Sequence, residues 1–185
     1  MLANEKENQL IEALRRGEPA AKRTIYEQYY RYLAAVCARF VRNDEDIKDL
    51  LQEVFIRIFT RIDRFENRGA GSLRAWCRRI AVNEALQHLR AAKRLSTTPL
   101  EETRDLPVPD ETPDVADIPQ QELLNMIRRL PDRYRTVFNL YIFEEMNHKE
   151  IAAQLGITES TSASDLHRAK ALLTRWIQTY RKQAR

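Results

Sequence analysis

Residues 44–62 read DEDIKDLLQEVFIRIFTRI, and their spacing decides the class of the fold. Ile47, Leu50, Leu51, Val54, Phe55, Ile58, Phe59 and Ile62 fall at i, i+3, i+4, i+7, i+8, i+11, i+12 and i+15. That is one continuous apolar stripe at helical period, and it predicts a helix packed along its whole length. The side away from the stripe shows Asp46, Asp49, Gln52, Glu53 and Ile56. Acid, amide and one apolar residue on an exposed face suit a protein-docking patch; a solvated face with Lys48 and Arg57 nearby is the alternative.

Working outward, every neighbouring stretch also reads as helix. Residues 4–16 contain Leu10, Ile11 and Leu14 and end near Gly17; Pro19, a favourable first-turn residue, opens a longer helix with Ile25, Tyr29, Leu33, Val36, Cys37 and Phe40 on one face. After Phe65-Glu66-Asn67-Arg68-Gly69-Ala70-Gly71, Ser72 is the expected N-cap of a helix to about Arg94. Further on, Leu123, Leu124, Ile127 and Leu130 mark a helix stopped by Pro131, and Tyr134, Val137, Phe138, Tyr141 and Ile142 mark the next. Asn147 with Glu150 three residues later forms a capping-box pattern, Gly156 suits a left-handed stop, and Thr158 begins a last helix whose stripe is Leu166, Ala169, Leu173, Trp176, Ile177 and Tyr180. Two helices joined by Leu155-Gly156-Ile157-Thr158, the first carrying Ala152 and Ala153, match a helix-turn-helix, although an ordinary helical hairpin has the same outline.

Charge divides the chain more sharply than length does. The 185 residues carry a formal +4, but residues 1–94 hold 19 basic and 13 acidic groups, residues 95–121 hold Arg104 against seven acids, and residues 122–185 hold 11 basic and 7 acidic groups. The acidic stretch also holds Pro99, Pro107, Pro109, Pro113 and Pro119, which remove backbone donors and disfavour helix before them. The expected organisation is all-α: an N-terminal helical bundle over 1–94, an acidic Pro-rich linker over 95–121, and a C-terminal four-helix domain over 122–185. A long surface loop inside one domain is the alternative.

The helix from Ser72 carries Arg79, Asn83, Gln87, Arg90 and Arg94 along one side, types suited to phosphate contact and base-edge hydrogen bonding. Residues 68–94 contain seven basic groups and one acid, Glu84, so nucleic acid is the expected partner. Trp76, in phase with Leu73 and Ile80, reads as core or as a base-stacking ring. Catalysis finds little support. Asp46-x-x-Asp49 and Glu145-x-x-His148 look like fragments of metal sites, yet a di-iron bundle needs a second Glu-x-x-His pair, and neither Glu84 to His88 nor His167 supplies one. There is no GxSxG, Walker A, GxGxxG or HExxH motif, and neither cofactor, metal nor small-molecule substrate is expected. Cys37 and Cys77 lie 40 residues apart without CxxC, and Met1 leads into Asn4-Glu5-Lys6, not an apolar leader; a reducing cytoplasm without membrane insertion is expected.

The order of these parts resembles a known family. Asp44 to Phe59 resembles the core-polymerase-binding helix of extracytoplasmic-function sigma factors, the small sigma subunits of bacterial RNA polymerase. Leu73-Arg74-Ala75-Trp76-Cys77-Arg78-Arg79-Ile80-Ala81-Val82-Asn83, followed by Leu89-Arg90, is similar to that family's −10 helix. Leu130-Pro131, Arg135, Val137-Phe138, Glu150-Ile151-Ala152, Leu155-Gly156-Ile157 and Leu166-His167-Arg168-Ala169-Lys170 are similar to its −35-binding domain.

The resemblance implies a sigma factor without chemistry of its own, which binds the β and β′ subunits of core RNA polymerase through Asp46, Asp49, Gln52, Glu53 and Ile56. It implies −10 contacts from Asn67, Arg68, Arg74, Trp76, Arg79, Asn83, Gln87 and Arg90, and −35 contacts from His148, Lys149, Ser160, Thr161, Ser164, Asp165 and Arg168. It also implies an anti-sigma partner and a linker lying in the channel later used by RNA. One departure stands out: where the family commonly shows a basic residue, this chain has Thr161-Ser162-Ala163-Ser164-Asp165, so residues 157–168 sum to −1. Weaker phosphate affinity is expected there, with Asp165 accepting from a cytosine amine. The alternatives are a sigma-like interaction protein with weakened −35 binding, or a helix-turn-helix repressor acting without polymerase.

Overall fold

The computed structural model describes residues 2–92, 95 and 114–183. It divides into two compact units, Met1–His88 and Leu89–Arg185, the division falling in the last turn of a helix. Arg94 and most of the acidic stretch, with Pro99, Pro107, Pro109 and Pro113, lie outside the described residues. Among the described residues no helix is long and apolar enough to cross a membrane.

The first unit contains α1 (Leu2–Arg15), α2 (Pro19–Phe40), α3 (Asp44–Arg61), a single 3-10 turn (Ile62–Arg64) and α4, which starts at Ser72 and ends at Ala91. Gly17, at φ 76°, makes the left-handed turn that lets Pro19 open α2. Asn43 caps α3 by accepting from Glu45 N at 2.8 Å, and Asp44, Glu45 and Asp46 place negative charge at the positive end of the helix dipole. The stripe of α3 is inward: Ile47, Leu50, Leu51, Val54, Phe55 and Ile58 are buried, and α3 packs against α2. Phe59 is only half-buried, and Ile62 is buried from the 3-10 turn, beyond the α-helix. Removing a fully buried side chain such as Ile58 costs about 2–5 kcal/mol.

The second unit contains α5 (Gln120–Arg129), α6 (Asp132–Ile142), α7 (His148–Leu155) and α8 (Glu159–Gln183). Its core gathers Ile118, Met126, Leu130, Tyr134, Ala169, Leu172, Leu173 and Ile177. Here two sequence expectations need correction. Met126, absent from the expected set, is the buried residue of α5; Leu123 and Ile127 pack half-buried against the same core, and Leu124 is half-buried. Tyr141 and Ile142, placed with the apolar face of α6, are 37% and 42% exposed, while Leu140 beside them is buried. Arg135 is 0% exposed. Its guanidinium donates to the carbonyls of Leu130 (3.1 Å) and Arg128 (3.2 Å) and to Asp132 (2.8 Å), satisfying the C-terminal end of α5 where Pro131 breaks the chain into two helices.

Cys37 and Cys77 are free and buried, and burial pushes each thiol up to about 12. Both are therefore neutral and unreactive at neutral pH. A thiol-specific reagent should label neither in the native protein and both after denaturation; fast native labelling would contradict this packing.

Candidate functional site

On α3 the outward row is as the spacing predicted. Asp49, Gln52, Glu53 and Ile56 are exposed, Ile56 to 52%, and Asp46 is half-exposed with its carboxylate 3.7 Å from His88 Nε2. Ile56 thus stands exposed on the same side of α3 as Asp49, Gln52 and Glu53, an apolar residue among acid and amide groups. The apolar character continues through half-buried Phe59 to Tyr26 of α2, which is 47% exposed and packs its ring 4.8 Å from that of Phe55. The sequence reading missed Tyr26; its signal was an aromatic residue one position off the α2 stripe.

On α4, Arg79, Asn83, Gln87 and Arg90 are all exposed along one side, Arg90 lying beyond the division between units. The single acid of this helix, Glu84, is buried and ion-paired with Arg57 of α3 at 3.3 Å. Its charge is thereby neutralised inside, and the outward row of α4 carries only cations and amides. Trp76 is half-buried with its ring 5.2 Å from buried Phe65, which supports its reading as core. Arg74 is exposed but sits about 140° round the helix from Arg79, with its guanidinium 4.1 Å above the Tyr32 ring. It is not brought together with the others.

The loop before α4 is organised by Asn67, and Ser72 does not cap the helix as expected. Ser72 is its first residue, and Ala75 N bonds to Gly71 O in the opening turn. The Ser72 hydroxyl instead accepts from Arg68 N (3.2 Å) and donates to Asn67 Oδ1 (2.9 Å), which also accepts from Gly69 N (2.9 Å). The Asn67 amide donates to Asn8 Oδ1 of α1, and Arg15 of α1 donates to Phe65 O at 2.7 Å. Asn67 thus spends its hydrogen bonds inside the protein, while exposed Arg68 is paired with Glu66 at 3.1 Å. Gly69 and Gly71, at φ 112° and 83°, supply the positive-φ turns that this knot requires.

The helix-turn-helix of the second unit is built as its sequence suggests. Asn147 Oδ1 accepts from Glu150 N (2.9 Å) while Glu150 accepts from Asn147 N (2.8 Å); Gly156 takes φ 68°, and Thr158 accepts from Thr161 N at 3.1 Å to cap α8. Lys149, Ser160 and Ser164 are exposed, Arg168 is half-buried, and Thr161 is half-buried with its hydroxyl 2.8 Å from the capping oxygen of Thr158. His148 is half-buried, its Nδ1 3.0 Å from buried Ser162 Oγ and its ring stacked 5.0 Å from Tyr141. Asp165 is the clear correction. It is 0% exposed and receives Arg133 Nε at 2.7 Å and Nη2 at 3.0 Å, so it does not present its carboxylate to bases. Exposed Ala163 and His167 take its place in the outward row with Ser160 and Ser164. His167 was legible as a position three and four residues on from Ser164 and Ala163.

A capped helix-turn-helix in one unit and a basic, acid-free helix row in the other suit a two-module protein that binds nucleic acid. The sigma-70 region 2 model matches residues 25–95 and the sigma-70 region 4 model matches residues 120–173. The chain is 32% identical over 164 residues to the RNA polymerase sigma-E factor of Streptomyces avermitilis, covering 86% of this chain and 89% of that one. It is 27% identical over 195 residues to the RNA polymerase sigma-H factor of Pseudomonas aeruginosa, end to end in both, and 28% identical over 181 residues to the ECF RNA polymerase sigma-E factor of Haemophilus influenzae, covering 91% and 94%. The chain belongs to the extracytoplasmic-function sigma factors of the sigma-70 family and directs RNA polymerase in promoter-specific transcription initiation.

Asn67→Ala should raise the amide exchange rate of Gly69 at least about tenfold while lowering global stability by only about 1 kcal/mol. Unchanged exchange at Gly69 would refute the organising role given to Asn67.

Proposed function

We propose that the outward row of α3, Asp49, Gln52, Glu53 and Ile56 with Asp46 at its edge, docks on the β and β′ subunits of core polymerase. The outward row of α4, Arg79, Asn83, Gln87 and Arg90, together with the loop carrying Arg68, takes the −10 element. Lys149, Ser160, Ser164 and Arg168, with Ala163 and His167, face the −35 element. The observation that carries this assignment is the contrast between two rows within one unit: acid and amide around an exposed isoleucine on α3, cation and amide with the acid withdrawn on α4. The first suits a protein surface and the second a polyanion.

The working division is 1–94 for polymerase and −10 binding, 95–121 as a tether, and 122–185 for −35 binding. The protein acts in the cytoplasm, performs no chemistry itself, and is held by an anti-sigma protein that covers the same exposed apolar groups when polymerase is not bound. The weakened −35 alternative loses one of its two motives, because the charge of Asp165 is matched inside the protein. A repressor acting without polymerase is not favoured by a chain matching both sigma regions.

Purified core polymerase supplemented with this protein should give transcripts from promoters that neither component transcribes alone. Absence of any promoter-specific transcript would overturn the assignment. Ile56→Glu should weaken association with core at least about tenfold without altering the thermal midpoint, since Ile56 already faces water in the free protein. Arg79→Ala combined with Asn83→Ala should leave core binding intact and reduce open-complex formation.

A further inference from the structure

The pairing of Asp165 does more than hide a charge. In α8, Asp165 has a side chain only 1% exposed, and Arg133, near the start of α6, has one 12% exposed. The two bonds, 2.7 Å and 3.0 Å, run from Nε and Nη2 to the two carboxylate oxygens. Arg168, one turn along α8, places Nη1 3.9 Å from the same carboxylate. A carboxylate so far from water is tolerated only when its lone pairs are matched, and a planar fork matches both in a single orientation. Each residue of a helix is rotated about 100° from the last, so even a fraction of that turn would break both bonds.

A second polar contact lies three residues earlier on the same buried side, where Ser162 meets His148 of α7 at 3.0 Å. Between them, the two contacts key α8 to α6 and to α7. On the opposite side at this level stand Ser160, Ala163, Ser164 and His167. Three of these side chains are short, and none of the four carries a permanent charge. Such groups reach base edges only if the helix sits deep in the groove with this row pointing at its floor, so a small rotation removes several contacts at once.

We propose that Arg133, acting through Asp165, sets the rotation of α8 and is thereby a specificity-determining positioning residue for the −35 element. This rests on the proposed −35 reading by α8. A lysine at 133 would neutralise Asp165 without supplying the fork, so charge balance and geometry are separable by substitution.

The test is selection of bound duplexes from a randomised pool by holoenzyme assembled from core polymerase and the full chain. The unmodified protein is expected to enrich two sequence blocks, and enrichment of the −10 block alone would overturn the −35 reading itself. With that reading upheld, Arg133→Lys is expected to keep the −10 block and a thermal midpoint within a few degrees. It should lose about tenfold in discrimination at the −35 block, comparable to one mismatched base pair. The exchanged pair, Arg133→Asp with Asp165→Arg, rebuilds the fork from the other side and is expected to regain the block. Retention of full −35 discrimination by Arg133→Lys, or failure of the folded exchanged pair to regain it, would overturn the positioning role.

Discussion

A carboxylate buried away from water must be matched by a cation, and two such carboxylates shape this protein. Glu84 of α4 is turned toward Arg57 of α3, and Asp165 of α8 toward Arg133 of α6. Each removes an acid from a helix proposed to face DNA. Repulsion from phosphate is relieved because each buried acid is paired with an arginine, Arg133 nearly buried and Arg57 part-exposed. The gain is in distribution: the outward row of α4 is left with cations and amides, and that of α8 past its cap with hydroxyls, a methyl group and an imidazole.

The same logic of two faces governs α3. Its stripe must be buried for the first unit to have a core, and this fixes which residues remain outside. Asp49, Gln52, Glu53 and Ile56 are a surface by necessity once Leu50, Leu51, Val54 and Ile58 are inside. The docking proposed for this helix would therefore use a face whose orientation is already settled by packing, with little rearrangement on binding. The loop before α4 is arranged in advance in another way. Asn67 and Ser72 knot it to itself, while Asn8 and Arg15 of α1 tie it to the body, although α1 lies before the residues that match the sigma-70 region 2 model.

Much of this architecture was legible residue by residue. Helix starts and stops follow local chemistry, so Pro19, Asn147 with Glu150, and Gly156 behave as their neighbours in sequence dictate. The outward row of α3 was legible because its stripe is unbroken. Where the reading failed, a distant partner decided. Asp165 looks like a surface acid until Arg133, 32 residues earlier, is placed beside it. Ser72 has the composition of a cap, but Asn67 and Arg68 claim its hydroxyl. Arg74 belongs to the same basic stretch as Arg79, yet helical phase puts it on another side of α4, where its guanidinium lies over Tyr32 of α2.

The sequence by itself determined the helical class, the two basic segments and the order of motifs that places the chain among sigma factors, because periodicity, capping and charge are properties of neighbours along the chain. Tertiary structure alone decided which charged residues reach the surface. Arg135, Glu84 and Asp165 are polar by composition and buried by circumstance, and burial of a charge depends on partners that local sequence does not specify.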